Sequence, residues 1–154
     1  MKPLKNFTNK SHSNKASLQI LAKKLAKNIR RGDVVALVGE LGAGKTTFVS
    51  SFLEALGVDD VVSSPTFTLL NIYKTKKFSV YHFDLYRLNS YDEFEFADFY
   101  DLLHDKKSVV FVEWADTFPE VGSYCNCHLA FHFTDSEDVR LIEMTSPEER
   151  LVLS

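Results

Sequence analysis

Residues 39–47 decide the fold of this chain, and they read Gly39-Glu40-Leu41-Gly42-Ala43-Gly44-Lys45-Thr46-Thr47. The run fits the pattern G-x-x-x-x-G-K-[S/T], in which a glycine-rich backbone wraps around phosphate groups. An apolar, β-branched stretch, 34–38, comes directly before it, and a helix-like stretch, 47–53, follows. Strand, loop and helix start in this order predict a polyanion site, because the loop N–H groups and the positive end of the helix dipole converge there.

The same pattern assigns roles to individual side chains. Lys45 is expected on the β- and γ-phosphates of a nucleoside triphosphate, and the Thr46 hydroxyl on Mg²⁺. The other residues expected to bind the nucleotide belong to the loop itself: Gly39, Leu41, Gly42, Ala43, Gly44 and Thr47. The alternative is a glycine-rich turn that binds nothing, and the flanking strand and helix argue against it.

Length and composition indicate one globular domain spanning residues 1–154, with 45% hydrophobic and 25% charged residues. A net charge of −3 and a pI of about 5.9 give no reason to expect DNA or a membrane as a partner. The N-terminus has no apolar core of a signal peptide, and no stretch approaches the roughly 20 apolar residues of a membrane span. Cys125 and Cys127 lie too close together in the sequence for a disulfide between them to cross-link the core, which suits a reducing compartment. We therefore expect a cytoplasmic protein.

Hydrophobic periodicity predicts the remaining elements. Leucine and alanine recur at helical spacing from Leu18 to Ile29, with Ser13 or Asn14 as the helix cap, and residues 1–12 are expected to be partly flexible. Further elements are predicted as strands 34–38, 69–73, 78–83 and 108–112, a helix from the loop to about residue 56, one or two short helices in 91–104, and a final hairpin of 127–133 and 139–145. These elements predict an α/β domain of three layers, with a mixed central sheet and helices on both faces.

Two carboxylates follow predicted strands. Asp84 comes after strand 78–83, and Glu113 after strand 108–112. Ligands of open α/β sheets bind at the carboxyl ends of strands, so both carboxylates would face the loop's phosphates if these strands are neighbours. Glu113 is predicted to hold Mg²⁺ together with Thr46, and Asp84 to orient the attacking water or hold the metal through a water. The alternative for each is a helix or turn cap.

Three other features leave their alternatives open. Thr66 lies in a hydroxyl-rich loop, 63–68, that a γ-phosphate could order, although an ordinary turn fits equally well. Trp114, the single tryptophan, could cover the site, but a buried core position is the simpler interpretation. The run Cys125-x-Cys127-His128-x₃-His132 departs from the usual zinc spacing, so we do not expect it to bind a metal.

The type of nucleotide and the reaction class follow from what the chain lacks. No N/T-K-x-D segment that would read guanine follows the loop, and Asp84 leads into Leu85-Tyr86-Arg87 rather than the D-x-x-G of GTPase switches. ATP is therefore expected rather than GTP. A small-molecule kinase would need an arginine-rich lid, and this chain has only five arginines: Arg30, Arg31, Arg87, Arg140 and Arg150. An ATPase is favoured, with a kinase or a non-catalytic nucleotide-sensing module as the alternatives.

Four runs resemble the TsaE (YjeE) family in order and spacing across roughly residues 13–133: the phosphate loop 39–47, Ser64-Pro65-Thr66-Phe67-Thr68-Leu69, Tyr81-His82-Phe83-Asp84-Leu85-Tyr86-Arg87-Leu88, and Val112-Glu113-Trp114. The resemblance implies a bacterial, cytoplasmic ATPase with a P-loop NTPase fold. It also implies a role in forming threonylcarbamoyladenosine on tRNAs that read codons beginning with A. Such an ATPase binds a TsaB–TsaD transferase pair, supports its turnover, and meets tRNA only indirectly.

Carried over to this sequence, the resemblance assigns ATP phosphates to Lys45 and the loop glycines, and Mg²⁺ to Thr46 and Glu113. Thr66 would lie in a first switch-like loop, and Asp84 in a second that takes part in hydrolysis. Lys45, Asp84 and Glu113 are thus the expected catalytic set. The family's adenine contacts come partly from the segment before the first helix, here residues 12–17.

Overall fold

The structure, a computed structural model, describes residues 6–59, 62, 69–86 and 96–152. Its strands are β1 (Phe7–Ser13), β2 (Val34–Gly39), β3 (Leu70–Lys74), β4 (Ser79–Asp84), β5 (Ser108–Glu113), β6 (Cys127–Phe133) and β7 (Arg140–Ser146). Its α-helices are α1 (Lys15–Asn28), α2 (Lys45–Ala55), α3 (Phe96–Leu103) and α4 (Pro119–Ser123). Within these described ranges, every helix is too short or too polar to cross a membrane.

The strands of the described residues form one mixed sheet in the order β1-β7-β6-β2-β5-β4-β3. Strands β6, β2, β5 and β4 run parallel to one another, whereas β3 and β7 are antiparallel to their neighbours. The parallel block brings the carboxyl ends of β2, β5 and β4 to one edge. The predicted neighbour relation between the strands that carry the loop, Glu113 and Asp84 is therefore present.

Hydrophobic side chains fill both sides of the sheet. On one face α1 and α2 pack against alternate residues of the central strands, and Phe52 meets Phe111 edge-to-face at 4.8 Å between ring centroids. On the other face α3 and α4 cover the intervening residues, and Phe83 meets Phe99 edge-to-face at 4.8 Å. The prediction of a three-layer α/β domain with a mixed sheet and helices on both faces is confirmed.

The N-terminal strand was not predicted. Residues 7–12 fall in the segment expected to be partly flexible, and they form most of β1, which pairs with β7 along its whole length. The strand alternates half-buried and exposed side chains, but nearly all of them are polar. Backbone hydrogen bonds rather than apolar burial hold such an edge strand, so its sequence carries no hydrophobic signal. The helix that follows begins as predicted, because the Asn14 side chain accepts a hydrogen bond from the Ser17 N–H at 2.9 Å.

A buried ion pair ties the C-terminal segment to the start of β2. Asp33 is 3% exposed and accepts two hydrogen bonds of 2.7 Å from the Arg150 guanidinium. Asn126 and the Arg30 N–H also donate to the same carboxylate, at 2.9 and 2.6 Å. Burial alone would raise the pKa of Asp33, but these hydrogen bonds outweigh it and hold the pKa below its ordinary value.

Arg150→Leu is expected to lower the free energy of unfolding at pH 7 by about 3 kcal/mol, since it strips a buried carboxylate of its charged partner. The depressed pKa of Asp33 makes its stabilisation complete above the ordinary value of 3.8 and lost as the pH falls through the lower folded value. The difference between wild type and variant should therefore shrink in strong acid. Urea unfolding at pH 7 and below pH 4 measures this, with Arg31→Leu, an exposed arginine, as control. Equal midpoints for the two variants at pH 7 would contradict it.

Candidate active site

The phosphate loop follows β2 and ends at the start of α2. Gly44 caps α2 with a φ of +109° and no side-chain hydrogen bond, so the first N–H groups of the helix have no side-chain cap. At Gly39, a Cβ atom would lie 2.7 Å from the Phe131 carbonyl oxygen, which is too close for any other residue. The start of α2 therefore has the uncapped N–H groups that an anion site at a helix N-terminus requires.

Glu113 and Thr46 meet at the mouth of this loop. The Thr46 hydroxyl donates to the Glu113 carboxylate, with distances of 2.9 Å to Oε2 and 3.2 Å to Oε1. Glu113 is 3% exposed, and its Oε2 also contacts His82 Nε2. The structure thus brings together the two side chains predicted from the sequence to hold a metal, and it adds His82, which the sequence analysis did not single out.

Asp84 lies beside Glu113 across the β4–β5 ladder, where the two residues pair in register. Its carboxylate is buried, and Oδ1 accepts a hydrogen bond from the Tyr86 N–H at 2.9 Å. One oxygen therefore closes a turn, as the capping alternative predicts. The same side chain also lines the cavity that contains Lys45, Thr46 and Glu113, so the turn fixes the carboxylate beside the phosphate loop.

Lys45 is 4% exposed, and its amine is held between two partners. The Nζ atom donates to the Gly39 carbonyl and lies 3.4 Å from the centroid of the Trp114 ring. Burial lowers the pKa of Lys45, opposed by the nearby carboxylates of Glu113, Asp84 and Asp116. Trp114 is half-buried and packs against Tyr86 at 5.0 Å, so it borders the site as well as the core.

Two of the cavities that border the phosphate loop share part of their lining. The first, of about 220 Å³, is lined by Leu41, Gly42, Gly44, Lys45, Thr46, Thr47, Asp84, Glu113 and Trp114. The second, of about 340 Å³, shares Gly42, Gly44 and Thr47 and is otherwise lined by Ser13, Asn14, Lys15, Leu18, Ala43, Phe131, Glu137, Asp138, Arg140 and Ile142. A ligand lying along the loop would therefore reach from one cavity into the other.

Apart from the phosphate loop, the second cavity is lined mainly by residues from two segments, and the sequence analysis expected nucleotide contacts from only one of them. Ser13, Asn14 and Lys15 belong to the segment from which adenine contacts were expected. Glu137 lies in the β6–β7 connection and Arg140 is the first residue of β7, a region for which the sequence analysis predicted only a hairpin. No local pattern could have found them, because their proximity to the loop depends on β6 pairing with β2.

The remaining predicted loop residues differ in exposure and contacts. The Leu41 side chain is 69% exposed at the loop tip, whereas the Ala43 side chain is buried in the core. Gly39 is the last residue of β2, and its carbonyl accepts a hydrogen bond from the Lys45 amine. Thr47 is exposed between the two cavities. Thr66 lies outside the described residues.

The donor atoms at the mouth of the loop fit Mg²⁺. Magnesium takes oxygen ligands at about 2.0–2.1 Å in octahedral geometry, which places neighbouring ligand oxygens about 2.9 Å apart. The Thr46 Oγ1 to Glu113 Oε2 distance is 2.9 Å. Within the described parts of the chain, no three His, Cys, Asp or Glu side chains cluster as metal ligands. A magnesium ion here would therefore need phosphate oxygens and water to complete its coordination.

The cysteines lie apart from this site. Cys125 and Cys127 are buried, and burial raises the pKa of each thiol to about 12. Such thiols stay protonated at neutral pH and behave as small apolar side chains. His132 lies on the exposed side of β6, where it is 3.3 Å from Glu143. These three residues of the C-x-C-H-x₃-H run therefore divide between the core and the surface.

Comparison with known proteins gives the family. A family model described as "Threonylcarbamoyl adenosine biosynthesis protein TsaE" matches residues 12–142. The chain belongs to the TsaE family. The TsaE protein of Bacillus subtilis (strain 168) is 41% identical over 120 residues, which cover 78% of this chain and 72% of that protein. The TsaE protein of Rickettsia prowazekii (strain Madrid E) is 38% identical over 105 residues, covering 68% and 72%.

A solved structure shows the same fold in this family. The crystal structure of Bacillus subtilis YdiB superposes with a TM-score of 0.72 at 28% sequence identity, covering 98% of this chain and 92% of that one. Both TsaE relatives are named tRNA threonylcarbamoyladenosine biosynthesis proteins. The resemblance stated from the sequence and the predicted P-loop NTPase-like fold are confirmed.

Proposed function

We propose that this TsaE-family chain is a Mg²⁺-dependent ATPase that serves tRNA threonylcarbamoyladenosine formation. The observation that carries the proposal is the Thr46–Glu113 pair at the mouth of a complete phosphate loop, with Asp84 in register beside it. Two buried carboxylates facing a phosphate loop repel the anion, and the Lys45 amine in the same cavity offsets only one of their two charges, which favours a divalent cation there.

The described residues have separate roles in nucleotide binding and in hydrolysis. The loop N–H groups and Lys45 bind the phosphates, and Thr46 with Glu113 would hold Mg²⁺, which neutralises charge on the transferred phosphoryl group. Asp84, fixed by the Tyr86 N–H, orients the attacking water. The larger cavity beside Ser13 and Asn14 accommodates the nucleoside.

The partner expected for such an ATPase is a TsaB–TsaD-like transferase pair. The relatives named above are tRNA threonylcarbamoyladenosine biosynthesis proteins, which supports a partner from that process. Leu41 and Tyr86 are 69% and 49% exposed beside the site, which leaves both side chains available to a partner protein. We expect slow hydrolysis by the chain alone and faster hydrolysis when the pair is present.

Binding of ATP with Mg²⁺ is expected to change the fluorescence of Trp114. Lys45 must leave the Trp114 ring and the Gly39 carbonyl to reach a phosphate, and this removes a cation from 3.4 Å above the indole. Trp114 is the single tryptophan, so the whole change reports on this site. Titration with ATP, ADP and GTP measures it, and GTP should bind more weakly than ATP.

The same samples, given labelled ATP, separate the proposed activity from its alternatives. Free labelled phosphate supports the ATPase. Label on a small-molecule acceptor from a metabolite mixture would identify a kinase, and binding without phosphate release in the presence of the transferase pair would identify a sensing module. Constant Trp114 emission together with no ATP retained in equilibrium dialysis would refute a nucleotide site altogether.

A further inference from the structure

His82 is a buried polar residue that the proposed reaction does not yet use. Its side chain is 0% exposed on β4, two positions before Asp84 and therefore on the same face of the strand. The Nε2 atom contacts Glu113 Oε2 on the neighbouring strand. The Nδ1 atom is buried and has no hydrogen-bond partner among the residues that the structure describes.

These contacts determine which ring nitrogen of His82 donates a hydrogen bond. A carboxylate only accepts hydrogen bonds, so Nε2 must carry a hydrogen and donate it to Glu113. An Nδ1 atom without a partner among the described residues destabilises the fold, and an apolar side chain of similar volume would avoid this. Among the residues that the structure describes, the bond to Glu113 is therefore the polar contact that distinguishes this histidine from an apolar residue.

The two donors to Glu113 differ in rigidity. Thr46 donates through a hydroxyl that rotates about its C–O bond and that would have to turn a lone pair toward a metal. The His82 ring is enclosed on all sides within the sheet and its covering layers, so its N–H direction is fixed. The His82 bond therefore persists when Thr46 changes partner, and it sets the orientation of the Glu113 carboxylate.

We propose that His82 is a positioning residue that holds the Glu113 carboxylate in the orientation required to bind Mg²⁺ with the nucleotide. The proposal rests on the proposed function, since it takes Glu113 as a magnesium ligand. Magnesium demands near-ideal octahedral geometry, so a carboxylate free to rotate binds it less well. Hydrogen bonds behind a metal ligand change metal affinity by about 10- to 100-fold when they are removed.

The test compares His82→Leu with His82→Gln. A glutamine amide can donate to Glu113 from nearly the position of Nε2, whereas leucine fills the space without a donor. The measured quantity is the gain in ATP affinity caused by Mg²⁺, taken as the ratio of dissociation constants in EDTA and in saturating Mg²⁺, both read from Trp114 emission. We expect His82→Leu to reduce this gain about 10-fold or more, affinity in EDTA to stay within about twofold, and His82→Gln to restore most of the gain.

Leu25→Ala is the control for a general loss of stability, because Leu25 is fully buried in α1 and lines neither cavity of the site. It should leave the Mg²⁺ gain unchanged. Wild-type gain in His82→Leu, equal losses in His82→Leu and His82→Gln, or an equal loss in Leu25→Ala would each overturn the positioning role. Because the readout is binding, a chain that shows the expected pattern but releases no phosphate would refute the ATPase and leave the role of His82 standing.

Discussion

Lys45→Ala is expected to lower the rate of ATP hydrolysis about 10²- to 10³-fold, the loss that follows when one preorganised donor to developing charge is removed. The amine is buried in the same cavity as Thr46, Asp84 and Glu113, and among the residues that the structure describes Lys45 is the cation that lines this cavity. Phosphate release at saturating Mg²⁺ and ATP measures the effect on the rate, and equilibrium dialysis measures the effect on affinity.

Lys107→Ala provides the matched control for Lys45→Ala. Lys107 is exposed just before β5, at the edge of the sheet opposite the phosphate loop. Each variant loses one positive charge, so an effect of the protein's net charge on the hydrolysis rate would appear in both variants. Hydrolysis by Lys45→Ala at the rate of Lys107→Ala would show that the phosphate loop is not the site of reaction.

Asp84→Asn is expected to lower hydrolysis by about 10²- to 10⁴-fold, because an amide neither orients water by accepting its proton nor carries the charge of a carboxylate. The asparagine amide oxygen can still accept the Tyr86 N–H, so the turn after β4 is preserved. Affinity for ATP should change little. The expected result is therefore a large fall in rate at nearly constant affinity.

Asp116→Asn is the control for charge alone. Asp116 is exposed in the short turn after Trp114, and its carboxylate acts on Lys45 electrostatically without lining the cavity. It should retain most of the wild-type rate. A rate for Asp84→Asn equal to that of Asp116→Asn would mean that Asp84 only closes a turn, which is the capping alternative raised by the sequence.

The sequence predicted the elements that position the site, because each of them has a recognisable pattern within a short stretch of the chain. The phosphate loop has its own pattern, and Asp84 and Glu113 each end an apolar strand, so the edge of a parallel sheet brings them together. The prediction depended on β4, β5 and β2 being neighbours, which strand hydrophobicity suggests and only the structure shows.

What the sequence did not reveal depends on contacts between distant segments. His82 looks like an ordinary strand residue, and its bond to Glu113 follows from the register of β4 and β5. The alternation of β4 was the available signal, because it places His82 on the same face as Asp84. The polar strand β1 and the cavity lining from Glu137 to Arg140 likewise follow from pairing with β7 and β6.

The most direct test of the account is phosphate release from ATP by the wild-type chain and Asp84→Asn, each with Mg²⁺ and with EDTA, in the absence and presence of a purified TsaB–TsaD pair. We expect slow release by the wild-type chain alone, faster release with the pair, and almost none in EDTA or from Asp84→Asn. Equal release in Mg²⁺ and EDTA, or equal release by wild type and Asp84→Asn, would contradict it.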